Sequence, residues 1–377
     1  LVLGIQSVVG LWYSVVSVGL QYLPIQLVFG SQRQFIDISE VVMTLRRFIF
    51  KNQFDGLPKH SDFELVEEEL REPGPNEVVL EALYLSVDPY MRIFAKNVPT
   101  GGTMFGTQVA KVTKSKHPGY KEGDLVVGHL GWASHSVVNP DLVKNFGGEV
   151  AKPYILPDLG GVSPSTGLGV LGMPGNTAWF GLTKLCHPKP GETLVVTGAA
   201  GAVGSLVGQI GKILGLKVIG FAGTDEKVQW LVDELKFDRA FNYKTVSVTE
   251  ALKEAAPNGV DCYFDNVGGE MSSDVMNQMN TYGRVAVCGS ISAYNATTPV
   301  LAPIVQPIII TKQLTLTGFV SSRWKDCWFE GIQQMLHFIQ EDKLVVRESI
   351  VEGFEKMPDA FISLFTGDNT GKVVVKA

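Results

Sequence analysis

The chain has 377 residues, longer than one ordinary domain, and with 45% hydrophobic and 19% charged residues it has apolar side chains enough for two cores. Its net charge of −6, with no Lys/Arg-rich run, excludes a basic nucleic-acid-binding surface. Cys186, Cys262, Cys288 and Cys327 are scattered with no C-x-x-C pair, which excludes a disulfide framework and a cysteine zinc lobe and fits a reducing compartment.

Residues 1–32 carry no charge, a run long enough to cross a bilayer. Pro24 breaks it, Gln6, Gln21 and Gln26 interrupt it, and no basic stretch precedes it. Met43-Thr-Leu-Arg-Arg-Phe-Ile-Phe reads as a start, so residues 1–42 are read as a non-native or mis-assigned extension and left out of the fold. The alternative is a membrane anchor.

From Arg46 to Val138 the pattern alternates and turns often. Pro73-Gly-Pro-Asn introduces a strand over residues 77–88, and further short strands are expected at 108–115, 124–129 and 133–138. Strands at this spacing suggest a barrel-like β domain. Residues 146–170, rich in Gly and Pro, read as an irregular crossover.

The pattern then becomes βα. Leu194, Val195 and Val196 form a strand, and Gly198, Gly201 and Gly204 a tight turn. Val203, Leu206, Val207, Ile210, Ile213 and Leu214 then recur at helical spacing. Strand, glycine turn and helix make the first half of a dinucleotide-binding unit, with phosphates at the helix amino end. The plainer alternative is a tight strand-to-helix turn. Strands at 217–222, 239–242, 260–265 and 284–289, with helices at 225–235, 246–256 and 271–279, continue the alternation and predict a parallel sheet covered on both faces. Residues 371–376 form a late strand that returns to either domain. The second strand ends Gly220-Phe-Ala-Gly-Thr with no acid in line and Lys227 follows, which suits a 2′-phosphate and hence NADP(H). The alternative makes Asp225 the ribose acid and Lys227 a solvated surface residue.

Six segments occur in order: Ser86-Val-Asp-Pro-Tyr-Met-Arg92, Gly172-Met-Pro-Gly-Asn-Thr-Ala-Trp-Phe-Gly, Ala199-Ala-Gly-Ala-Val-Gly-Ser, Phe241-Asn-Tyr-Lys244, Tyr263-Phe-Asp-Asn-Val-Gly-Gly269 and Gly367-Asp-Asn-Thr-Gly-Lys372. Together they resemble the zinc-independent medium-chain reductases that comprise the prostaglandin reductases, leukotriene B4 12-hydroxydehydrogenases and alkenal reductases. The resemblance runs from about Met43 to Ala377. It implies an α/β chain in which a Rossmann doubly wound parallel sheet (171–345) is joined to a GroES-like β-barrel-type catalytic domain (43–170, completed by 346–377). It implies NADPH-dependent reduction of the carbon–carbon double bond of enones and enals, such as 15-oxo-prostaglandins and 2-alkenals. Oxidation of the leukotriene B4 12-hydroxyl with NADP⁺, a homodimer and a cytoplasmic location also follow from it.

The resemblance further places Gly201, Ala202, Val203 and Gly204 on the pyrophosphate, and Lys227 and Tyr243 on the 2′-phosphate. Asn266, the run Cys288, Gly289, Ser290, Ile291, Ser292, Ala293 and Tyr294, then Phe319, Val320, Ser321 and Asn369 line the rest of the cofactor. Tyr90 and Tyr294 match tyrosines near the substrate. Such a phenol suits an enolate oxygen that needs a hydrogen-bond donor where charge develops. Taken without the family, each is a half-buried packing residue with a wet hydroxyl. Val87-Asp-Pro-Tyr90 and Phe105-Gly-Thr-Gln108 offer no thiolate and imidazole set where zinc-dependent relatives bind metal, so no zinc is expected, and His129 and His135 read as packing or surface residues. Two departures from the family stand out: residues 146–170 are longer than expected, and Lys236 stands where a Gly is common. The competing readings are a zinc-independent NADPH quinone reductase, a cofactor-binding protein without turnover and a membrane-tethered reductase.

Overall fold

The computed structural model describes residues 43–377 and, ahead of them, the backbone of four five-residue strands. β1 (Val2–Gln6) pairs antiparallel with β2 (Trp12–Val16), and β3 (Ile25–Phe29) with β4 (Gln32–Ile36). The expectation that residues 1–42 are an extension or an anchor lies otherwise outside the described residues. The chain divides into a small unit, residues 1–45 with 68–70, and a main body, residues 46–67 and 71–377. In the small unit the Leu70 N–H donates to the Met43 carbonyl at 2.8 Å. Among the described residues no helix is long and apolar enough to cross a membrane.

β5 (Thr44–Phe50) pairs with β6 (Phe63–Glu69). β7 (Val78–Ser86) leads into the short α1 (Tyr90–Phe94). β8 (Thr107–Ser115), β9 (Leu125–His129), β10 (His135–Val138) and β11 (Tyr154–Ile155) complete an antiparallel run in the order β11-β9-β8-β7, with β10 also on β7. The stretch expected to be irregular thus contains one two-residue strand, β11. The core here is aromatic: Phe48, Phe50, Phe63, Trp132, Phe354 and Phe361 are buried together, with Trp132 stacked on Phe63 at 5.1 Å.

After α2 (Met173–Gly181) the chain enters the second sheet. β12 (Thr193–Thr197), α3 (Gly204–Ile213), β13 (Lys217–Ala222), α4 (Asp225–Asp233), β14 (Arg239–Asn242), α5 (Val248–Ala255), β15 (Val260–Asp265), α6 (Gly269–Asn277), β16 (Met279–Val287), α7 (Gln306–Lys312) and β17 (Thr315–Gly318) follow in turn. All pairings are parallel, in the order β14-β13-β12-β15-β16-β17, a doubly wound sheet that reverses direction beside β12. Alternation along β12 separates two cores. Leu194 and Val196 pack with Leu206, Ile210, Phe264 and Met335, while Val195 packs on the other face with Ile219, Tyr263 and Val285. Helix α8 (Trp328–Gln340) covers the first of these faces.

β18 (Glu348–Glu352), α9 (Met357–Thr366) and β19 (Lys372–Lys376) return to the first sheet, β19 antiparallel to β7 and parallel to β18. The late strand therefore belongs with the residues before 170. One local expectation changes and one departure is explained. Helix α6 ends at Asn277 and Met279 already opens β16, pairing with Val260; the polar run after it and Tyr282 at φ +65° disguise the strand. Lys236 holds the left-handed conformation (φ +59°) that explains why glycine suits that turn.

Phe361 touches Phe54, Phe63, Trp132 and Phe365 with ring centroids 5.3–6.3 Å apart. Phe361→Ala is expected to destabilise the first core by about 3–5 kcal/mol. Urea unfolding followed by tryptophan fluorescence measures this; an unchanged midpoint contradicts it.

Candidate active site

β12 ends at Thr197 and the chain turns at Gly198, whose φ of +61° is left-handed. A Cβ on Gly204 would lie 2.3 Å from the Gly198 carbonyl oxygen and 2.8 Å from Ala199 Cα, so nothing larger than hydrogen fits where α3 starts. The turn therefore presents backbone and a helix amino end at the carboxyl edge of the sheet, beside the point where strand order reverses. Gly201, Ala202, Val203 and Gly204 all lie in it.

The neighbouring strand ends are fastened to this turn. Asn266 Nδ2 donates to the Thr197 carbonyl at 2.8 Å, and its own N–H to Thr197 Oγ1 at 3.2 Å. Buried Asp265 accepts the N–H groups of Val267 and Gly268 at 3.0 and 2.9 Å and the Ser272 hydroxyl at 2.7 Å. The N–H groups of Cys288 and Gly289 donate to the Asp265 carbonyl, that of Ile291 to Asn266, and that of Ser292 to Val267. The run 288–294 thus wraps the end of β15. Burial pushes the Cys288 thiol up to about 12, with Asp265 adding to it, so it stays a thiol. The Ser290 N–H donates to the Tyr294 hydroxyl at 3.1 Å. A Cβ on Gly289 would meet that hydroxyl at 3.0 Å and the Asn266 carbonyl oxygen at 3.1 Å, so phenol and strand end share one small space. Burial raises the Tyr294 phenol above its ordinary range against the lowering effect of the Ser290 N–H. Phe319 follows β17 with its ring edge-on to Phe264 at 6.1 Å, and Val320 and Ser321 continue at the surface.

Lys227 and Tyr243 reach the end of β13. Thr224 caps α4, accepting the Lys227 N–H at 3.3 Å. The Lys227 ammonium donates to the Gly367 carbonyl at 2.8 Å and lines a cavity of about 600 Å³ with Thr224, Trp230, Arg347 and Asp368. Partial burial lowers its pKa despite Asp368. The Tyr243 hydroxyl lies 3.2 Å from where a Gly223 Cβ would be. Asp225, the alternative ribose acid, accepts from Asn242 at 2.8 Å. Asn369 sits in the turn before Gly371, whose N–H donates to the Ala200 carbonyl at 2.8 Å, so the chain's far end meets the glycine turn.

Tyr90 arrives from the other sheet. Its ring packs on Phe146, Phe94 and Phe105 with centroids 5.4–6.2 Å away. Burial, with Asp88 nearby, holds the phenol well above its ordinary pKa. Arg92 Nε donates to Asn295 Oδ1 at 3.2 Å, and Nη2 to the Gly56 carbonyl at 3.0 Å. Because Tyr90 precedes Arg92 by one turn fragment and Tyr294 precedes Asn295, this contact brings the segments bearing both phenols together.

Sequence reasoning missed the group beneath α1. Lys372 Nζ donates to Ser86 Oγ at 2.7 Å, to the Val87 carbonyl at 2.8 Å and to Asp88 Oδ1 at 3.0 Å, with both charged side chains buried. Ser86 Oγ also donates to the other Asp88 oxygen. The signal available was a lysine opening the apolar run Val373-Val-Val375, where a charge on an interior strand needs a partner. Among the described residues no group of three His, Cys, Asp or Glu side chains is placed to hold a metal ion.

Residues 46–145 match the family described as the N-terminal domain of oxidoreductase, and residues 202–341 the family described as zinc-binding dehydrogenase. Prostaglandin reductase 1 of Bos taurus is 50% identical over 335 residues, 88% of this chain and 99% of that protein. The NADP⁺-dependent 2-alkenal reductase of Nicotiana tabacum is 40% identical over 345 residues, covering 88% and 96%. Among solved structures, CurA from Vibrio vulnificus in complex with NADPH superposes with a TM-score of 0.81 at 35% identity, covering 88% of this chain and 99% of that one.

Lys372→Met strands the buried Asp88 charge and is expected to cost about 3–5 kcal/mol of stability. Adding Asp88→Asn should recover part of the loss. Thermal and urea unfolding of the single and double variants check this; additive losses would show that the two groups act independently.

Proposed function

The chain belongs to the prostaglandin reductase family of the medium-chain dehydrogenases and reductases, and we propose that it reduces the carbon–carbon double bond of lipid α,β-unsaturated ketones and aldehydes with NADPH. The dinucleotide fits the residues present: a cradle that a Gly204 Cβ would fill, a helix amino end behind it and a lysine at the second strand end. When bound, the cofactor supplies hydride to the β-carbon of the substrate.

The chain's own residues stabilise and quench the enolate that results. The observation that carries the reading is the Tyr294 phenol: it accepts the Ser290 N–H, which leaves its own proton free to donate outward, and burial keeps it protonated. A neutral donor fixed before the reaction stabilises the charge that develops on the carbonyl oxygen; losing one typically costs on the order of 10²–10³ in rate. Tyr90, reached across the Arg92–Asn295 contact, is the second acid. Lys227 exchanges the neutral Gly367 carbonyl for a 2′-phosphate, a stronger charge-assisted partner, with Tyr243 beside it. Gly201–Gly204, Asn266, the run 288–294, Phe319–Ser321 and Asn369 line the remainder of the cofactor.

In this reading residues 43–170 with 346–377 carry the substrate side and residues 171–345 the cofactor side. The substrates are 15-oxo-prostaglandins and 2-alkenals, with NADP⁺-dependent oxidation of the leukotriene B4 12-hydroxyl as a further activity. The enzyme is cytoplasmic and pairs as a homodimer.

Purified protein is expected to oxidise NADPH rapidly with a medium-chain 2-alkenal or a 15-oxo-prostaglandin, yielding the saturated carbonyl, and to turn over a simple quinone poorly. A quinone preference, or binding without turnover, would overturn the assignment. Lys227→Ala should raise the KM for NADPH about tenfold and leave NADH little affected; equal losses with both cofactors would remove Lys227 from the phosphate. Tyr294→Phe should lower kcat by about 10². Since its pKa is raised, the phenol is lost only on the alkaline side, so the wild-type rate should show no fall attributable to it below the ordinary phenol range.

A further inference from the structure

Buried side chains tie the end of β15 to the end of β12. Thr197 Oγ1 donates to Asp265 Oδ1 at 3.3 Å and lies 3.3 Å from the Tyr263 hydroxyl. With its one proton on the carboxylate, it accepts from Tyr263, and it also accepts the Asn266 N–H at 3.2 Å. Asp265 accepts from the N–H groups of Val267 and Gly268 and from the Ser272 hydroxyl as well. Thr197, Tyr263 and Asp265 are all buried. Burial, with the Asp265 charge, holds the Tyr263 phenol well above its ordinary range, so it remains a donor. Asn266 is only partly buried, and Thr197 grips it twice. Its backbone N–H sits on the Thr197 hydroxyl, and its Nδ2 donates to the Thr197 carbonyl at 2.8 Å. A carbonyl only accepts, so the amide nitrogen must face Thr197 and Oδ1 must face away from it. Among the described residues Oδ1 accepts no hydrogen bond. A Cβ on Gly198 would lie 3.3 Å from the Asn266 Cβ, so this unspent acceptor stands against the glycine turn.

Strand order decides which half of a dinucleotide meets that acceptor. The sheet runs β14-β13-β12-β15, with Lys227 and Tyr243 just past the end of β13 and Asn266 just past the end of β15, on opposite sides of the turn after β12. A cofactor with its 2′-phosphate on Lys227 and its pyrophosphate on the turn carries its nicotinamide half to the β15 side. The pyrophosphate has no proton to give, whereas the ribose of that half presents hydroxyl donors. We propose that Thr197, Tyr263 and Asp265 are positioning residues that fix the Asn266 amide oxygen as the acceptor for a ribose hydroxyl on the nicotinamide half, an inference that rests on the NADP(H) reading above. An amide locked before binding gives up no rotamer freedom when the cofactor arrives, and that is what the buried network contributes.

Two ligands separate the halves. NADP⁺ carries the hydroxyl in question, while adenosine 2′,5′-bisphosphate keeps the 2′-phosphate and lacks the second ribose. Titration calorimetry of the full chain measures the affinity of each. Asn266→Ala and Thr197→Val should each weaken NADP⁺ about tenfold, and Tyr263→Phe about threefold, with the bisphosphate within about twofold of wild type. Thr197→Ser keeps the hydroxyl and should bind NADP⁺ within about twofold of wild type. Retained bisphosphate binding establishes that each variant folds. Equal losses for both ligands would mean that the turn itself has collapsed and would overturn the positioning role. NADP⁺ binding unchanged in both Asn266→Ala and Tyr263→Phe would overturn it too. So would a Thr197→Ser variant as weak as Thr197→Val, since packing rather than the hydroxyl would then be responsible. Turnover enters none of these measurements, so a wild type that binds NADP⁺ and reduces no enone would overturn the reductase reading and leave this inference standing.

Discussion

The Lys372 ammonium, buried against Asp88, Ser86 and the Val87 carbonyl, is the contact on which the placement of the site depends. It joins the last strand of the chain to the end of β7, the point from which α1 and Tyr90 depart. One residue earlier, Gly371 donates to Ala200 in the glycine turn, so the same short segment reaches both sheets of the main body. A buried pair of this kind is weak ground for stability, since desolvating two charges offsets most of their attraction. Its value here is in register. A one-residue slip of β19 would carry Lys372 to the opposite face and leave Asp88 without its cation, and would also move Gly371 from the turn.

Legibility in the sequence followed the range of the interactions. The doubly wound sheet was readable because each strand and helix declares itself by local period, and the glycine turn because its geometry excludes side chains at a fixed spacing. The first half of β16 is hidden because Asn280-Thr-Tyr-Gly, with Tyr282 left-handed, shows no apolar alternation and is flanked by strand-poor Asn and Gly. Lys372 with Asp88, and Ser165 with Glu348 at 2.5 Å, join positions 284 and 183 residues apart. No local pattern encodes such pairs; only the topology that brings β7, β18 and β19 together reveals them.

The stretch after Val143 shows the same limit at closer range. Its Gly and Pro content reads as irregular, yet Asn145 Oδ1 accepts the N–H groups of Gly147 and Glu149, and Lys144 bridges Val150. This tight tip holds Phe146 among Phe94, Phe105 and Tyr90. An aromatic residue flanked by Asn and Gly signals a turn in sequence; that its ring covers the phenol is a tertiary fact. His129 is similar. As a lone histidine on a strand it reads as packing, and only its register with Thr107 gives it a hydrogen-bonding partner.

A further regularity concerns where charge sits. The buried carboxylate Asp88 faces a lysine, and Asp265 is surrounded by two N–H groups and a hydroxyl. Burial raises the carboxyl of Glu348, which the Ser165 hydroxyl and nearby Lys372 oppose. The groups proposed to face the substrate, by contrast, are neutral: the phenols of Tyr90 and Tyr294, both with pKa raised by burial. That division follows from what the reaction needs. The enone is neutral and its enolate is charged, so a full cation at the carbonyl would have to be desolvated before any substrate arrived. A buried phenol bears a far smaller desolvation cost in the ground state, yet its dipole, aimed in advance, interacts most strongly once the oxygen becomes negative. In the proposed reading the buried ions hold the frame, and the neutral phenols held by that frame meet the charge when it forms.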